Sequence, residues 1–161
     1  MDKELTIGFV NELRFLDSSI RDLRGTIGLY FIYLLSTRIP YPLKPSRLVY
    51  VGMSESRQNS IGNRLRDHVS GQSGNLGLTN FIASKEGRFT FHSLDFLEVA
   101  GIADVWELEY VFLTDFARSF GSHPMCNNQS GIAPDKPLET YALPSQPKEK
   151  NRLTVDWSFF N

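Results

Sequence analysis

With 161 residues, 41% hydrophobic and 12% aromatic, the chain is long enough to close one core and too apolar to be disordered. No apolar run approaches the roughly 20 residues of a membrane span, the acidic start Met1-Asp2-Lys3-Glu4 is unlike a secretory signal, and the single Cys126 permits no internal disulfide, so a cytoplasmic protein is expected. The net charge of −1 argues against a purely electrostatic nucleic-acid binder, yet it conceals ten Lys or Arg against four Asp or Glu between Arg21 and His92, and five against ten from Ser93 onward.

Lys3 to Ser18 carries Leu5, Phe9, Leu13 and Leu16 at helical spacing, which predicts a helix. Gly28 to Ser36, with its run Leu29-Tyr30-Phe31-Ile32-Tyr33-Leu34-Leu35, predicts a buried strand. Thr37 to Pro45 holds three prolines and reads as a loop. A second strand, Arg47 to Gly52, is expected to pair antiparallel with the first, because the connection is too short for a crossover helix. Ser60 to Ser70 and Leu76 to Lys85 predict helices, the latter stopped by Gly87. Arg88 to Leu97 alternates as a third strand, and Ala103 to Phe120 forms the strongest helical pattern. Ala133 to Arg152 contains four prolines and many charges, as a linker or surface wrap would. Leu153 to Phe160 reads as a strand or an anchor packing on the body. The expectation is a single α+β domain over residues 1–161, with a small central antiparallel sheet of about three strands flanked by helices.

The long helix contains an exception to its own pattern. At about 100° per residue, Val105, Leu108, Phe112, Phe116 and Phe120 form one apolar stripe, and Glu109 projects into it while Glu107 points toward the polar face. A carboxylate on a buried face is costly unless a cation compensates it, either a metal ion or an internal arginine. In the helix at 60–70, Ile61, Leu65 and Val69 make the apolar stripe. Arg64 and His68, four apart, share one edge, and Arg66 falls on the other. Such a pair can bind phosphate and exchange a proton beside it, although surface helices often carry Arg and His in this way. The three histidines have no partners at zinc-ligand spacing. Gly71-Gln-Ser-Gly-Asn-Leu-Gly77 follows a helix and lacks the lysine of a P-loop, so it reads as a connector. Cys126 reads as a small packed residue.

Gly28-Leu29-Tyr30 in the first strand and Tyr50-Val51-Gly52 in the second resemble the two halves of the GIY-YIG nuclease motif. That family also carries an arginine on the following helix, a histidine one turn later, a glutamate on a later helix and an asparagine after a proline. Arg64, His68, Glu109 and Pro124-Met-Cys-Asn127 match in order, over roughly Gly28 to Asn128. The chain departs from compact members of the family through its proline-rich insertion around Arg38 to Lys44.

The resemblance implies a divalent-metal-dependent endonuclease acting on DNA, with RNA as an alternative substrate and a setting such as restriction or repair. Glu109 would hold Mg²⁺ (or Mn²⁺) and Arg64 would offset phosphate charge. Tyr30 would act as base with His68 assisting, provided that Arg64 or the metal lowers the tyrosine pKa from about 10. Tyr50 would orient water or phosphate, Gly28 and Gly52 would permit close approach of backbone and substrate, and Asn127 would fix a loop near the site. Arg57, Arg66 and Lys85 in the basic half are expected to contact the substrate. A homo-oligomer or larger nuclease assembly is a further expectation. From a different class, a non-catalytic nucleic-acid-binding or assembly module that keeps the fold also fits, given the modest net charge.

Overall fold

The computed structural model describes residues 4–99, 105–127 and 152–161. In chain order these form β1 (Glu4–Ile7), β2 (Leu13–Arg14), α1 (Asp17–Arg21), β3 (Gly28–Leu34), β4 (Leu48–Ser54), α2 (Ile61–Ser70), α3 (Leu76–Ala83), β5 (Gly87–Ser93), α4 (Leu94–Val99), α5 (Val105–Phe120), β6 (Arg152–Val155) and a closing 3-10 turn (Trp157–Phe160). The α+β expectation holds. The principal sheet has four antiparallel strands in the order β2-β5-β3-β4, and β1 pairs with β6 in a separate two-stranded parallel sheet.

β3 lies in the middle and every one of its residues is buried. Strand alternation sends Leu29, Phe31 and Tyr33 to one face and Tyr30, Ile32 and Leu34 to the other. The first face packs on Phe112, Phe116 and Phe120 of α5 and on Trp157 and Phe160. These three phenylalanines are the predicted α5 stripe; the side chains of Val105, Glu107 and Leu108 lie outside the described ones. The second face packs on Ile61 and Leu65 of α2 and Leu78 and Ile82 of α3.

The β3–β4 register slips between Ile32 and Tyr33, so that Ile32 faces Tyr50, Tyr33 faces Leu48, and Val49 is the extra residue. Such a bulge re-aims side chains. Val49 and Tyr50 consequently both belong to the α2 face, while Leu48 and Val51 belong to the α5 face. The proline-rich loop straps the α5 face: Tyr41 packs edge-on to Phe116, and its hydroxyl donates to the Leu48 carbonyl at 2.6 Å.

Three sequence expectations are corrected. The N-terminal helix over Lys3 to Ser18 is replaced by β1, β2 and the short α1. Parallel pairing of β1 with β6 and burial of Phe9 against Phe31 and Phe160 override local periodicity, and Leu16 of the supposed stripe is 54% exposed. The third strand ends at Ser93, because residues 94–99 turn into α4. Val69 is exposed and His68 takes its place on the buried face of α2. The tail resolves into both alternatives, a strand and an aromatic anchor, with Val155, Trp157 and Phe160 buried in the protein's own core. Residues 133–151 of the expected linker lie outside the described residues.

Candidate active site

The site forms where α2 crosses the β3–β4 pair. Gly52 is the register partner of Tyr30, and a Cβ at position 52 would stand 2.2 Å from the Tyr30 ring carbon that bears the hydroxyl. Only a glycine lets the phenol lie across β4 toward α2. At Gly28, φ is +153° and a Cβ would stand 2.1 Å from the His92 carbonyl oxygen, so that glycine admits the β3–β5 contact. Both close approaches are made by the protein's own chain.

Tyr30 is completely buried, and its hydroxyl lies 2.8 Å from His68 Nε2. Arg64 Nε donates to the same hydroxyl at 3.3 Å. On its other side, His68 Nδ1 lies 2.9 Å from Ser73 Oγ. The half-buried Tyr50 ring sits 5.3 Å from the imidazole and 5.9 Å from the Tyr30 ring, and its hydroxyl interacts with both Tyr30 and Arg64. Tyr50, Arg64 and His68 then line a cleft of about 420 Å³, together with Asn59, Asp67, Ser73, Gly74 and Asn75.

Electrostatics here are governed by burial. Desolvation holds the Tyr30 hydroxyl well above its ordinary range, and Tyr50 adds to it, so the lowering by Arg64 is outweighed. The condition attached to Tyr30 as a base, a lowered pKa, is not met by Arg64. Burial first and Arg64 second push His68 down to about 4, so it is neutral near pH 7. Glu109, half-buried on α5, is pushed up to about 7 by burial even though Arg64 acts to lower it. Its carboxylate also raises Tyr50, which ties α5 electrostatically to the cleft. Among the described residues no group of three or more His, Cys, Asp or Glu is arranged to hold a metal ion.

Asn127 bonds one residue of β4 through both ends of its side-chain amide: its Oδ1 accepts from Val51 N at 2.9 Å and its Nδ2 donates to Val51 O at 2.8 Å. Next to it, Cys126 N donates to Val49 O at 2.8 Å. The Cys126 thiol is buried and pushed up to about 11, as befits a packing residue.

The structure therefore brings Tyr30, Tyr50, Arg64 and His68 together and seats Asn127 behind β4, while Glu109 does not line the cleft and meets the cluster only through its charge, which acts on Tyr50 and is offset by Arg64. Arg57, Arg66 and Lys85 are exposed and none of them lines the cleft. Sequence reasoning missed Asn59, Asp67, Ser73 and Asn75. The Gly71–Gly77 stretch, which follows α2, forms a wall of the cleft through Ser73, Gly74 and Asn75 and is therefore more than a connector; the signal available was that these three stand five to seven residues after His68. Asn75 caps α3 through Leu78 N and reaches the Cys126 carbonyl at 3.1 Å, which stiffens that wall. No protein-family model, curated protein or solved structure matches the chain. No helix among the described residues is long and apolar enough to cross a membrane.

Proposed function

We propose that this chain is a divalent-metal-dependent endonuclease hydrolysing phosphodiester bonds in DNA, similar to the GIY-YIG nucleases. The observation that carries this reading is the convergence of Tyr50, Arg64 and His68 on one cleft, with Tyr30 bonded behind them and Glu109 coupled to Arg64 and Tyr50. Arg64, anchored by its Nε, offsets charge on the non-bridging oxygens of a bound phosphodiester. Tyr50 lies at the cleft surface and orients the attacking water. The hydroxyl of Tyr30 links Tyr50 to the neutral imidazole of His68, and this hydrogen-bonded set holds Tyr50 in place at the cleft.

Glu109 suits a hard divalent cation. It is an oxygen donor whose burial leaves the anion under-compensated, and Mg²⁺ is commonly held by one or two carboxylates plus water. Mg²⁺ or Mn²⁺ held there by Glu109 would supply Lewis acidity toward a bound phosphodiester.

The test is supercoiled plasmid incubated with protein in Mg²⁺, Mn²⁺ or EDTA. Metal-dependent nicking is expected, reduced on the order of 10²–10³ in Arg64→Ala and Glu109→Ala. Cleavage by Glu109→Ala at the wild-type rate sinks the metal assignment. Complete burial of Tyr30, whose hydroxyl does not line the cleft, favours a second reading, a non-catalytic nucleic-acid-binding or assembly module. Plasmid that stays intact under every condition, with measurable DNA binding, selects that reading.

A further inference from the structure

We propose that Ser73 is a positioning residue that holds His68 in its Nδ1–H tautomer and thereby reserves Nε2 as the acceptor for the Tyr30 hydroxyl hydrogen. Arg64 Nε can only donate, so the Tyr30 oxygen is the acceptor in that contact. The phenol's own hydrogen has two candidate acceptors, the Tyr50 hydroxyl and His68 Nε2 at 2.8 Å; under this assignment it goes to Nε2, a nitrogen that accepts only when it carries no hydrogen. A neutral imidazole has one N–H, which must in that case sit on Nδ1, facing Ser73 Oγ at 2.9 Å.

The serine is held where it can serve. Ser73 N donates to the Asp67 carbonyl at 3.2 Å, and Asn75 N donates to Ser73 Oγ at 3.4 Å. The histidine's own backbone is fixed as well, since Thr79 Oγ1 donates to its carbonyl at 2.8 Å. With one lone pair taken by Asn75 N–H, the serine oxygen keeps another to accept from Nδ1–H. Loss of the serine hydroxyl leaves that buried N–H without its acceptor, which weakens the Nδ1–H form against the other tautomer.

The test uses the full chain labelled with ¹⁵N-histidine, with ring nitrogens read by long-range proton correlation. His92 provides an internal standard of the opposite kind, because its Nε2 lies 2.9 Å from the Gly8 carbonyl, which only accepts, and therefore bears the hydrogen. We expect the Nδ1–H pattern for His68 in wild type and in Ser73→Thr, and a mixed or Nε2–H pattern in Ser73→Ala, with His92 unchanged as evidence of an intact fold. An Nε2–H pattern for His68 in the wild-type spectrum alone overturns the proposal, as does an unchanged pattern in Ser73→Ala.

The cleavage arm rests on the nuclease reading: Ser73→Ala should lower kcat about tenfold with KM unchanged, and Ser73→Thr should restore it. If DNA is never cut yet the tautomer shifts as expected, the nuclease reading falls and the role of Ser73 stands. If DNA is cut and Ser73→Ala cuts at the wild-type rate with its tautomer unchanged, the nuclease stands and Ser73 does not.

Discussion

On one face of β3, Leu29, Phe31 and Tyr33 sink into a layer made by α5, the proline strap and the C-terminal aromatics; on the other, Tyr30, Ile32 and Leu34 meet α2 and α3. Two tyrosines three residues apart, both fully buried, have opposite surroundings. The Tyr30 hydroxyl is shared by His68 and Arg64. Among the described residues the Tyr33 hydroxyl is buried without a hydrogen-bond partner of normal geometry, burial first and nearby Glu12 second raise its pKa, and Arg47 stacks over its ring. The α5 face is optimised for burial and tolerates an orphan polar atom. The α2 face accepts desolvated, mutually dependent polar groups, an arrangement typical of sites that hold chemistry.

The largest expected effect that separates the faces is a cavity on the α5 side. Phe116→Ala should cost about 3–5 kcal/mol in denaturant unfolding, while any cleavage per folded molecule stays near wild type. A comparable loss of cleavage by folded protein would mean that the two faces are not separable.

Acid–base behaviour should divide along the same line, measured as unfolding free energy in EDTA between pH 4 and 7.5. His68 lies below its ordinary value of 6.5, so the unfolded chain binds the extra proton and stability is lost as pH falls from 6.5 toward about 4. Glu109 lies above its ordinary 4.5, so the folded chain binds the extra proton and stability is lost as pH rises from 4.5 toward about 7. Each contribution is at most about 3 kcal/mol, and Glu109's is smaller because its carboxyl is only half-buried. The two slopes oppose each other between pH 4.5 and 6.5 and give a plateau. Glu109→Gln should expose the His68 slope, with stability rising with pH, and His68→Gln should expose the reverse. Parallel profiles in wild type and both variants would contradict these shifts.

Smaller effects sharpen the picture. Asn127→Ala removes two hydrogen bonds to Val51 and should destabilise by about 1–2 kcal/mol in the same assay. Tyr33→Phe removes only the orphan hydroxyl and should change stability by less than about 1 kcal/mol, in either direction. Tyr30→Phe, chemically the same change, should instead abolish the shared contact with His68 and Arg64 and depress cleavage.

What was legible in the sequence follows from range. β3, β4, α2 and α5 announce themselves through local periodicity, and the phase of α5 singles out Glu109 before any contact is known. Arg64 and His68 were readable as a pair four apart, although the phase put His68 on an edge and Val69 on the buried face, and Tyr30 was singled out by the resemblance of its motif. The N-terminal strand was not, since β1 is specified by a partner about 150 residues away. The placement of Tyr50 beside Val49 depends on a one-residue bulge that no pattern of apolar residues encodes. Ser73 was invisible for a related reason: a short loop residue gains its role only when the helix before it and the strand beneath are in place. The burial of Tyr30 was predictable from its run of apolar neighbours, and its effect on the hydroxyl outweighs the nearby arginine.

β4 is an outer strand of the principal sheet, and an outer strand is a template on which another copy can add. At Val49 and Val51 the template is already filled by Cys126 N and the Asn127 amide, which imitates a further strand with a single side chain. The rim beside the cleft therefore resists self-association and fibre growth without using a charge for the purpose. A variant at position 127 should betray itself first through aggregation at high concentration.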